Sequence, residues 1–269
     1  MEQDTLETGK NIAKEESYKL PEETLSPEEI EKREKIKVQV FSHLKNKLRE
    51  AVAMKLDSLA KNEEIDIVDC LKKVWPENDG AHRGIKPIFY LPTYDFKNKL
   101  TARFVRNPEK DTISPGSYDG NGEITINVTK LVAAKTTGDF NSCLDEIYTV
   151  LIHEVEHLYA EGTDQMDSDI FSWVEYACDE GEIIANGTDI AFLYAKKFQG
   201  EDFNKEKLTT WASENKDSLT KIWNYIIAFN DPVKQEKYKE SGNMKRAHDF
   251  IIKVIEDRVK YFLRHPELL

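Results

Sequence analysis

Two histidines placed four residues apart put the strongest constraint on how this chain can fold. They belong to the segment His153-Glu154-Val155-Glu156-His157, and residues at that spacing lie on one face of an α-helix. Both imidazole rings can therefore reach a single ion if the segment is helical. The preceding residues, Tyr148–Ile152, are mostly apolar, which predicts that this helix is buried on one side.

The motif lies in the most acidic part of an acidic chain. The net charge of the 269 residues is −12, and the sixty residues from Thr136 to Ala195 contain fourteen carboxylates and no lysine or arginine. So many like charges repel one another unless solvent or a cation neutralises them. The overall charge would also repel a phosphate backbone, so we expect no nucleic-acid partner.

The sequence offers no sign of membrane insertion or secretion. No apolar run approaches the roughly 20 residues that cross a bilayer, and the acidic first residues lack the apolar core of a signal peptide. The three cysteines, Cys70, Cys143 and Cys178, are widely spaced and form neither a disulfide framework nor a metal knuckle. We therefore expect a cytoplasmic protein with no membrane partner.

Composition and patterning divide the chain into four predicted segments. Residues 1–25 are rich in Glu and Lys and predict a disordered acidic tail. Ser26–Glu29 form a capping box with proline at the first helical position, which begins a helix within an N-terminal helical segment, residues 26–80. Residues 81–200 are predicted to form a catalytic core, and residues 201–269 a C-terminal helical segment packed on that core.

Sheet-forming residues are confined to the first part of the predicted core. The strands predicted there are rich in β-branched and aromatic residues and comprise Pro87–Leu91, Leu100–Val105 and Glu123–Val128. The last of them alternates apolar and polar residues, as a half-exposed or edge strand would, and we expect it to lie at an edge. The predicted fold class is α+β: a mainly helical domain with a small three- to four-stranded sheet beside the HExxH helix.

With this motif beside a predicted sheet, residues 85–195 resemble the zincin metallopeptidases. The resemblance implies a zinc metallopeptidase, an endopeptidase by expectation, in which His153 and His157 bind Zn²⁺. Glu154 would be the catalytic general base that takes a proton from zinc-activated water during peptide-bond hydrolysis. Catalytic zinc usually has three protein ligands and one open position, so a third ligand should lie downstream.

The third ligand distinguishes subgroups of these peptidases. The metzincin pattern fails, because Ala160 and Thr163 occupy its glycine and histidine positions. The segment Glu182-Ile-Ile-Ala-Asn186 is similar to the ExxAN segment of the ImmA/IrrE-like and phage-encoded zincins. This gluzincin-like resemblance implies that Glu182 is the third metal ligand.

Four other carboxylates are alternatives for the third position. Glu180 stands in a Glu-Gly pair similar to the ligand segment of thermolysin-like enzymes, and Glu175 lies two helical turns before the preferred glutamate. The segment Glu161–Asp167 resembles the GTxD segment of aspzincins, which would instead supply Asp164 or Asp167. None of these alternatives changes the chemistry.

The resemblance also implies where a substrate binds. In zincins an edge strand usually pairs with an extended peptide, and Gly122–Val128 is the candidate. The acidic surroundings would favour a cationic peptide or protein substrate. A further group normally stabilises the oxyanion, and the candidates are Tyr159, Tyr176 and His248. The oligomeric state is not indicated by the sequence.

A second interpretation is a helical structural or interaction protein with a non-catalytic metal site. The two interpretations differ in the use of Glu154, because a structural zinc site has no need of it and normally has four protein ligands. The motif therefore favours the peptidase.

Overall fold

Helices account for most of the chain that the structure, a computed structural model, describes. The described residues are 18–20, 23, 25–59, 101–105, 116–118, 123–127, 140–159, 173–216, 219–238 and 244–269. The longer helices are α1 (Pro27–Leu59), α2 (Phe140–Tyr159), α4 (Glu180–Lys197), α5 (Lys205–Glu214) and α8 (Met244–Arg264). The shorter elements are β1 (Thr101–Val105), β2 (Gly116–Tyr118), β3 (Glu123–Asn127), α3 (Trp173–Ala177), α6 (Thr220–Trp223), a π-helix (Asn224–Ala228), α7 (Pro232–Lys237) and a 3₁₀ turn (Pro266–Leu268).

Helix α1 begins where its capping residues predict. The Ser26 backbone N–H donates to the Glu29 carboxylate at 2.9 Å, and the Glu29 backbone N–H donates to the Ser26 hydroxyl at 3.3 Å. Pro27 occupies the first helical position, where no N–H is needed. The buried face of the helix consists of Val40, Phe41, Leu44 and Leu48.

Helix α4 is the central helix of the described core and packs against both α2 and α8. Aromatic rings join the three helices, because Phe192 of α4 contacts Tyr148 of α2 at 5.2 Å and Phe262 of α8 at 5.6 Å between ring centroids. The backbones of α4 and α8 approach closely at Gly187, where a Cβ atom would lie 2.5 Å from a methyl group of Val254. Glycine is therefore required at this crossing.

A buried ion cluster also joins α1, α2 and α8. The Lys37 ammonium lies 2.9 Å from the carboxylate of Glu156, and a guanidinium nitrogen of Arg258 lies 3.9 Å from the same carboxylate. All three side chains are buried. Glu156, although inside the HExxH motif, thus has a role in packing rather than in the metal site.

The predicted α+β class is wrong for the described residues, which form a predominantly helical structure. The strands β1, β2 and β3 are only five, three and five residues long. The described buried core consists of side chains from helices and their connecting turns. The predicted strand Pro87–Leu91 lies outside the described residues.

The prediction that Gly122–Val128 is an edge strand is also wrong. The strand order is β1-β3-β2, so β3 is central. It pairs in parallel with β1, with Thr101 opposite Glu123, and antiparallel with β2, with Ser117 opposite Thr125. Alternating polarity reports which face of a strand is buried and carries no information about its two hydrogen-bonding edges. Both edges of β3 are occupied, so it has no free side for a peptide.

Part of the predicted disordered tail packs on the helical core. The Tyr18 hydroxyl donates to the backbone carbonyl of Cys178 at 2.6 Å, and its ring stacks on Phe250 with centroids 5.1 Å apart. Leu20 is only 6% exposed. The average composition of residues 1–25 concealed these few contact-forming side chains. The other segment boundaries remain predictions.

None of the described helices combines the length and the apolar character that a membrane-spanning helix requires.

Candidate metal centre

Helix α2 brings the two histidines of the motif together. Their Nε2 atoms are 3.2 Å apart, and the ring centroids are separated by 4.9 Å. Both side chains are partly accessible to solvent. The helical spacing of His153 and His157 therefore produces the shared face that the sequence predicts.

Glu182 joins the histidines from the first turn of α4. Asp179 caps this helix, because its side chain accepts a hydrogen bond from the Glu182 backbone N–H at 3.1 Å. One carboxylate oxygen of Glu182 lies 3.6 Å from Nε2 of His153. The other lies 3.4 Å from Nε2 of His157. Two helices that are distant in the sequence thus supply three potential ligands to one point.

The spacing of the two imidazole nitrogens fits a tetrahedral ion. Zinc–ligand bonds of about 2.0–2.1 Å at tetrahedral angles separate ligand atoms by about 3.3 Å. The two imidazole nitrogens are 3.2 Å apart, and each lies 3.4 or 3.6 Å from a different carboxylate oxygen of Glu182. Among the residues that the structure describes, these three side chains form the group able to hold a metal ion. With one ligand atom taken from each residue, the three atoms lie within 4.8 Å of one another, and imidazole and carboxylate are donors that suit Zn²⁺.

Asp189 orients the first of the two imidazole rings. Its carboxylate is 1% exposed and lies 3.1 Å from Nδ1 of His153. An ionised carboxylate only accepts hydrogen bonds, so Nδ1 donates its proton and Nε2 is the nitrogen that faces the other ligands. The ammonium of Lys221 lies 2.7 Å from the same carboxylate oxygen. A chain of contacts thus runs from solvent-accessible Lys221 to the metal site.

Asn186 fixes the position of Glu182. Its side-chain nitrogen donates to the Glu182 backbone carbonyl at 2.7 Å and lies 3.3 Å from the Glu182 carboxylate. The same nitrogen is 3.2 Å from the hydroxyl of Tyr225, which belongs to the π-helix. π-Helical turns are frequent near functional sites, and this one borders the metal-ligand group.

Burial and mutual charge shift the titration of the site residues. Burial alone would lower the pKa of His153, but the carboxylate of Asp189 outweighs it and raises the pKa to about 9. The pKa of His157 is lowered by burial and by the positive charge of His153. Burial raises the pKa of Glu154 to about 7, partly opposed by His153. Because metal ions bind deprotonated nitrogen, binding at this site releases protons.

The alternative third ligands are placed elsewhere or lie outside the described residues. Glu180 accepts a hydrogen bond from the Lys19 backbone N–H at 2.9 Å and is not part of the metal-ligand group. Glu175 lies in the short helix α3 and is also outside that group. Asp164 and Asp167 lie outside the described residues. Their assignment as ligands stays a prediction.

One of the three oxyanion candidates lies at the site. Tyr176 is 46% exposed, and its hydroxyl donates to the Glu182 carboxylate. His248 is buried in α8, where its Nδ1 lies 3.5 Å from the Asp249 carboxylate, and it is not part of the metal-ligand group. The side chain of Tyr159 lies outside what the structure describes.

Several supporting residues were not assigned a role by the sequence reasoning. Asn186 and Asp189 lie four and seven residues after Glu182, so the helical period places them on its face. The helical spacing in the sequence could therefore have indicated both residues. Lys221 and Tyr225 carry no such signal, because only the tertiary fold brings their helical segment beside α4.

Comparisons of this chain with models of protein families, with curated protein sequences and with solved structures found no match. The resemblance to zincins therefore stays a prediction that rests on the HExxH motif and Glu182.

Proposed function

We propose that this chain is a zinc-dependent metallopeptidase of the zincin type. The observation that carries the proposal is the convergence of His153, His157 and Glu182, each of which offers one ligand atom within 4.8 Å of the other two. A bound Zn²⁺ ion would supply Lewis-acid activation of water and polarisation of the scissile carbonyl. This chemistry needs no serine, threonine or cysteine nucleophile, because activated water attacks the carbonyl.

Glu154 is the residue that moves the proton in this proposal. It directly follows His153 in α2, and its carboxyl is 6% exposed, within electrostatic range of His153 and Glu182. A carboxylate in this position can accept a proton from the attacking water and deliver it to the leaving amine. Burial limits competition from bulk water, so the transferred proton stays at the reacting groups.

The number of ligands favours a catalytic over a structural site. Structural zinc is usually held by four protein ligands, whereas catalytic zinc has three and an open position. The described part of the chain brings three ligands together. The exposed ring of Tyr176, hydrogen-bonded to Glu182, marks a side of the group that solvent and a substrate can reach.

Substrate class and compartment complete the proposal. The fourteen carboxylates between Thr136 and Ala195 would concentrate a cationic peptide near the site. The thiol of Cys178 is unpaired and buried, which suits a reducing compartment such as the cytoplasm.

The variant Glu154→Gln tests the proposal. We expect it to bind about one zinc ion per chain, because its ligands are intact, and to lose about a thousandfold in peptide hydrolysis. The measurements are metal content by mass spectrometry and cleavage of a peptide library at low salt, where Lys/Arg-rich peptides should be cut faster than Asp/Glu-rich ones. Glu146→Gln, an exposed glutamate two turns earlier in α2, is the matched control.

Two outcomes would contradict the proposal. Undiminished hydrolysis by Glu154→Gln would exclude its role as general base. Zinc binding by the unmodified chain without cleavage of any library peptide would favour the non-catalytic metal site. Equal cleavage of both peptide classes would contradict the cationic preference alone.

A further inference from the structure

A cavity separate from the metal site lies between α1, α2 and α4. Its volume is about 260 Å³, and its lining includes Leu144 and Asp145 from the beginning of α2. Asp145 precedes His153 by eight residues, which corresponds to about 12 Å along a helix. The cavity is thus at the opposite end of α2 from the HExxH motif.

Positive charge is concentrated on one side of this cavity. Lys45, Arg49 and Lys196 all line it, although the chain as a whole is strongly acidic. Lys196 forms an ion pair with Asp145. The side chain of Arg49 is exposed to solvent, which leaves Lys45 as the buried cation of this group.

Lys45 is the cation whose environment most needs an anion. It is 9% exposed, and its ammonium donates to the backbone carbonyl of Glu267 at 3.1 Å. Burial, followed by the charges of Arg49 and Lys196, lowers its pKa to about 8, and the carboxylates of Asp145 and Glu267 oppose this only in part. Among the described residues no carboxylate lies within ion-pair distance of this ammonium. A buried cation without a counter-charge is costly.

Apolar side chains form another part of the cavity wall, which Tyr148 and Leu269 also line. Leu48, Leu144 and Phe192 lie beside the cationic groups. At about 30 Å³ of liquid volume per water-sized group, the cavity accommodates about nine non-hydrogen atoms. Its shape and lining therefore suit a small molecule that has one charged end and a short apolar body.

We propose that this cavity binds a small organic anion, a carboxylate with a short aliphatic chain. The carboxylate pairs with Lys45 and Arg49, and the chain packs on Leu48, Leu144 and Phe192. The anion supplies the counter-charge of the buried ammonium, and its aliphatic chain is removed from water by the apolar side chains, so both ends of the ligand contribute to binding. This binding is independent of the proposed metal site.

The test is a titration of the full chain with hexanoate, followed by methyl NMR. Hexanoate has eight non-hydrogen atoms, and we expect saturable binding below about 10 mM with shifts at the leucine methyl groups of the cavity. The neutral analogue 1-hexanol and inorganic phosphate each lack one half of the recognised chemistry. Each should bind at least about tenfold more weakly.

A pair of variants locates the site. Lys45→Met keeps the length of the side chain but removes its charge, and it should weaken hexanoate binding about tenfold or more. Lys47→Met alters an exposed neighbour that pairs with Glu50 on the same helix and should leave binding unchanged. Circular dichroism confirms that both variants are folded.

Three results would overturn the proposal. The first is the absence of saturable hexanoate binding to the unmodified chain. The second is equal affinity of Lys45→Met and Lys47→Met. The third is binding of 1-hexanol or phosphate as tight as that of hexanoate, because either one would show that only half of the cavity is used.

Discussion

Two glutamates in the first turn of α4 show that position on the helix determines which carboxylate can reach the histidines. Glu180 and Glu182 are two positions apart, so they point about 200° apart around the helix. Glu182 faces the histidines of α2, whereas Glu180 accepts a hydrogen bond from the Lys19 backbone. The two residues have the same chemistry but different neighbours, which makes them a matched pair.

We predict that Glu182→Gln weakens zinc binding by about a hundredfold, because it removes the one charged ligand of the group. Glu180→Gln should change the affinity less than about twofold. Competition with a chelator of known zinc affinity measures both. Equal affinities of the two variants would show that Glu182 is not a ligand.

Lys45 supplies a prediction about pH. Burial and the charges of Arg49 and Lys196, partly opposed by Asp145 and Glu267, lower its pKa to about 8, whereas an unfolded lysine titrates near about 10.4. Between these values the unfolded state holds the proton more tightly, so the stability contributed by this site rises with pH.

Lys45→Met should therefore be more stable than the unmodified chain at neutral pH, by about 1 kcal/mol. Its advantage should shrink as the pH rises from about 8 to about 10, because the native lysine loses its charge there. Urea unfolding at a series of pH values measures the difference. A difference that does not depend on pH would contradict the assignment.

At the residue scale, local spacing accounts for what the sequence could predict. The interval from His153 to His157 is one helical turn, and it brought both rings together as expected. Lys45 and Lys196 are separated by about 150 residues, so no local pattern could indicate that they share a cavity. Asp189 lies between these cases, because its helical spacing from Glu182 was visible but its contact with α2 was not.

At the scale of elements, the crossing of α4 and α8 depends on the absence of one side chain. Glycine inside a helix is ordinarily unfavourable, yet Gly187 sits where a Cβ atom would meet Val254. The close packing of the two helices offsets the cost of a flexible backbone. This crossing holds α4, and with it Glu182, in the core.

We predict that Gly187→Ala destabilises the fold by about 1–3 kcal/mol, because the new methyl group forces the helices apart. In a Val254→Ala background the same change should cost about 1 kcal/mol less. Urea unfolding of the four proteins of this double-mutant cycle measures the coupling. An identical cost in both backgrounds would place the strain elsewhere.

The helices and strands differ in how clearly the sequence predicts them. The capping box at Ser26 predicted the beginning of α1, because a cap is a local hydrogen-bonding pattern. Strand β2, only three residues long, lies in the segment Ser114–Gly122, whose glycine, proline and serine content favours a loop. Its pairing with β3 made the predicted edge strand central, and pairing of this kind depends on contacts that no single segment encodes.

At the scale of the whole molecule, the metal site joins two helices of the core. His153 and His157 come from α2 and Glu182 from α4, so an ion bound at the proposed site would act as a cross-link between elements that are separate in the sequence. Ligands that bind only the folded state stabilise it by mass action. Metal binding should therefore be visible in the stability of the entire fold.

We predict that zinc at about a thousand times its dissociation constant stabilises the chain by about 4 kcal/mol and raises the melting temperature by about 10 °C. Removal of zinc by a chelator should reverse the shift, and Glu182→Gln should show little of it. Differential scanning calorimetry measures both. An unchanged melting temperature would contradict the cross-link.

The amino-terminal contacts have a consequence for the metal ligands. Tyr18 and Lys19 are hydrogen-bonded to Cys178 and Glu180, directly before Glu182. These contacts hold the connection between α3 and α4 in place, whereas both histidines belong to α2 and do not depend on them. A polypeptide that begins at Ser26 would therefore keep the two histidines in place but allow the carboxylate of Glu182 to move. The first effect of this truncation would be weaker metal binding rather than loss of folding.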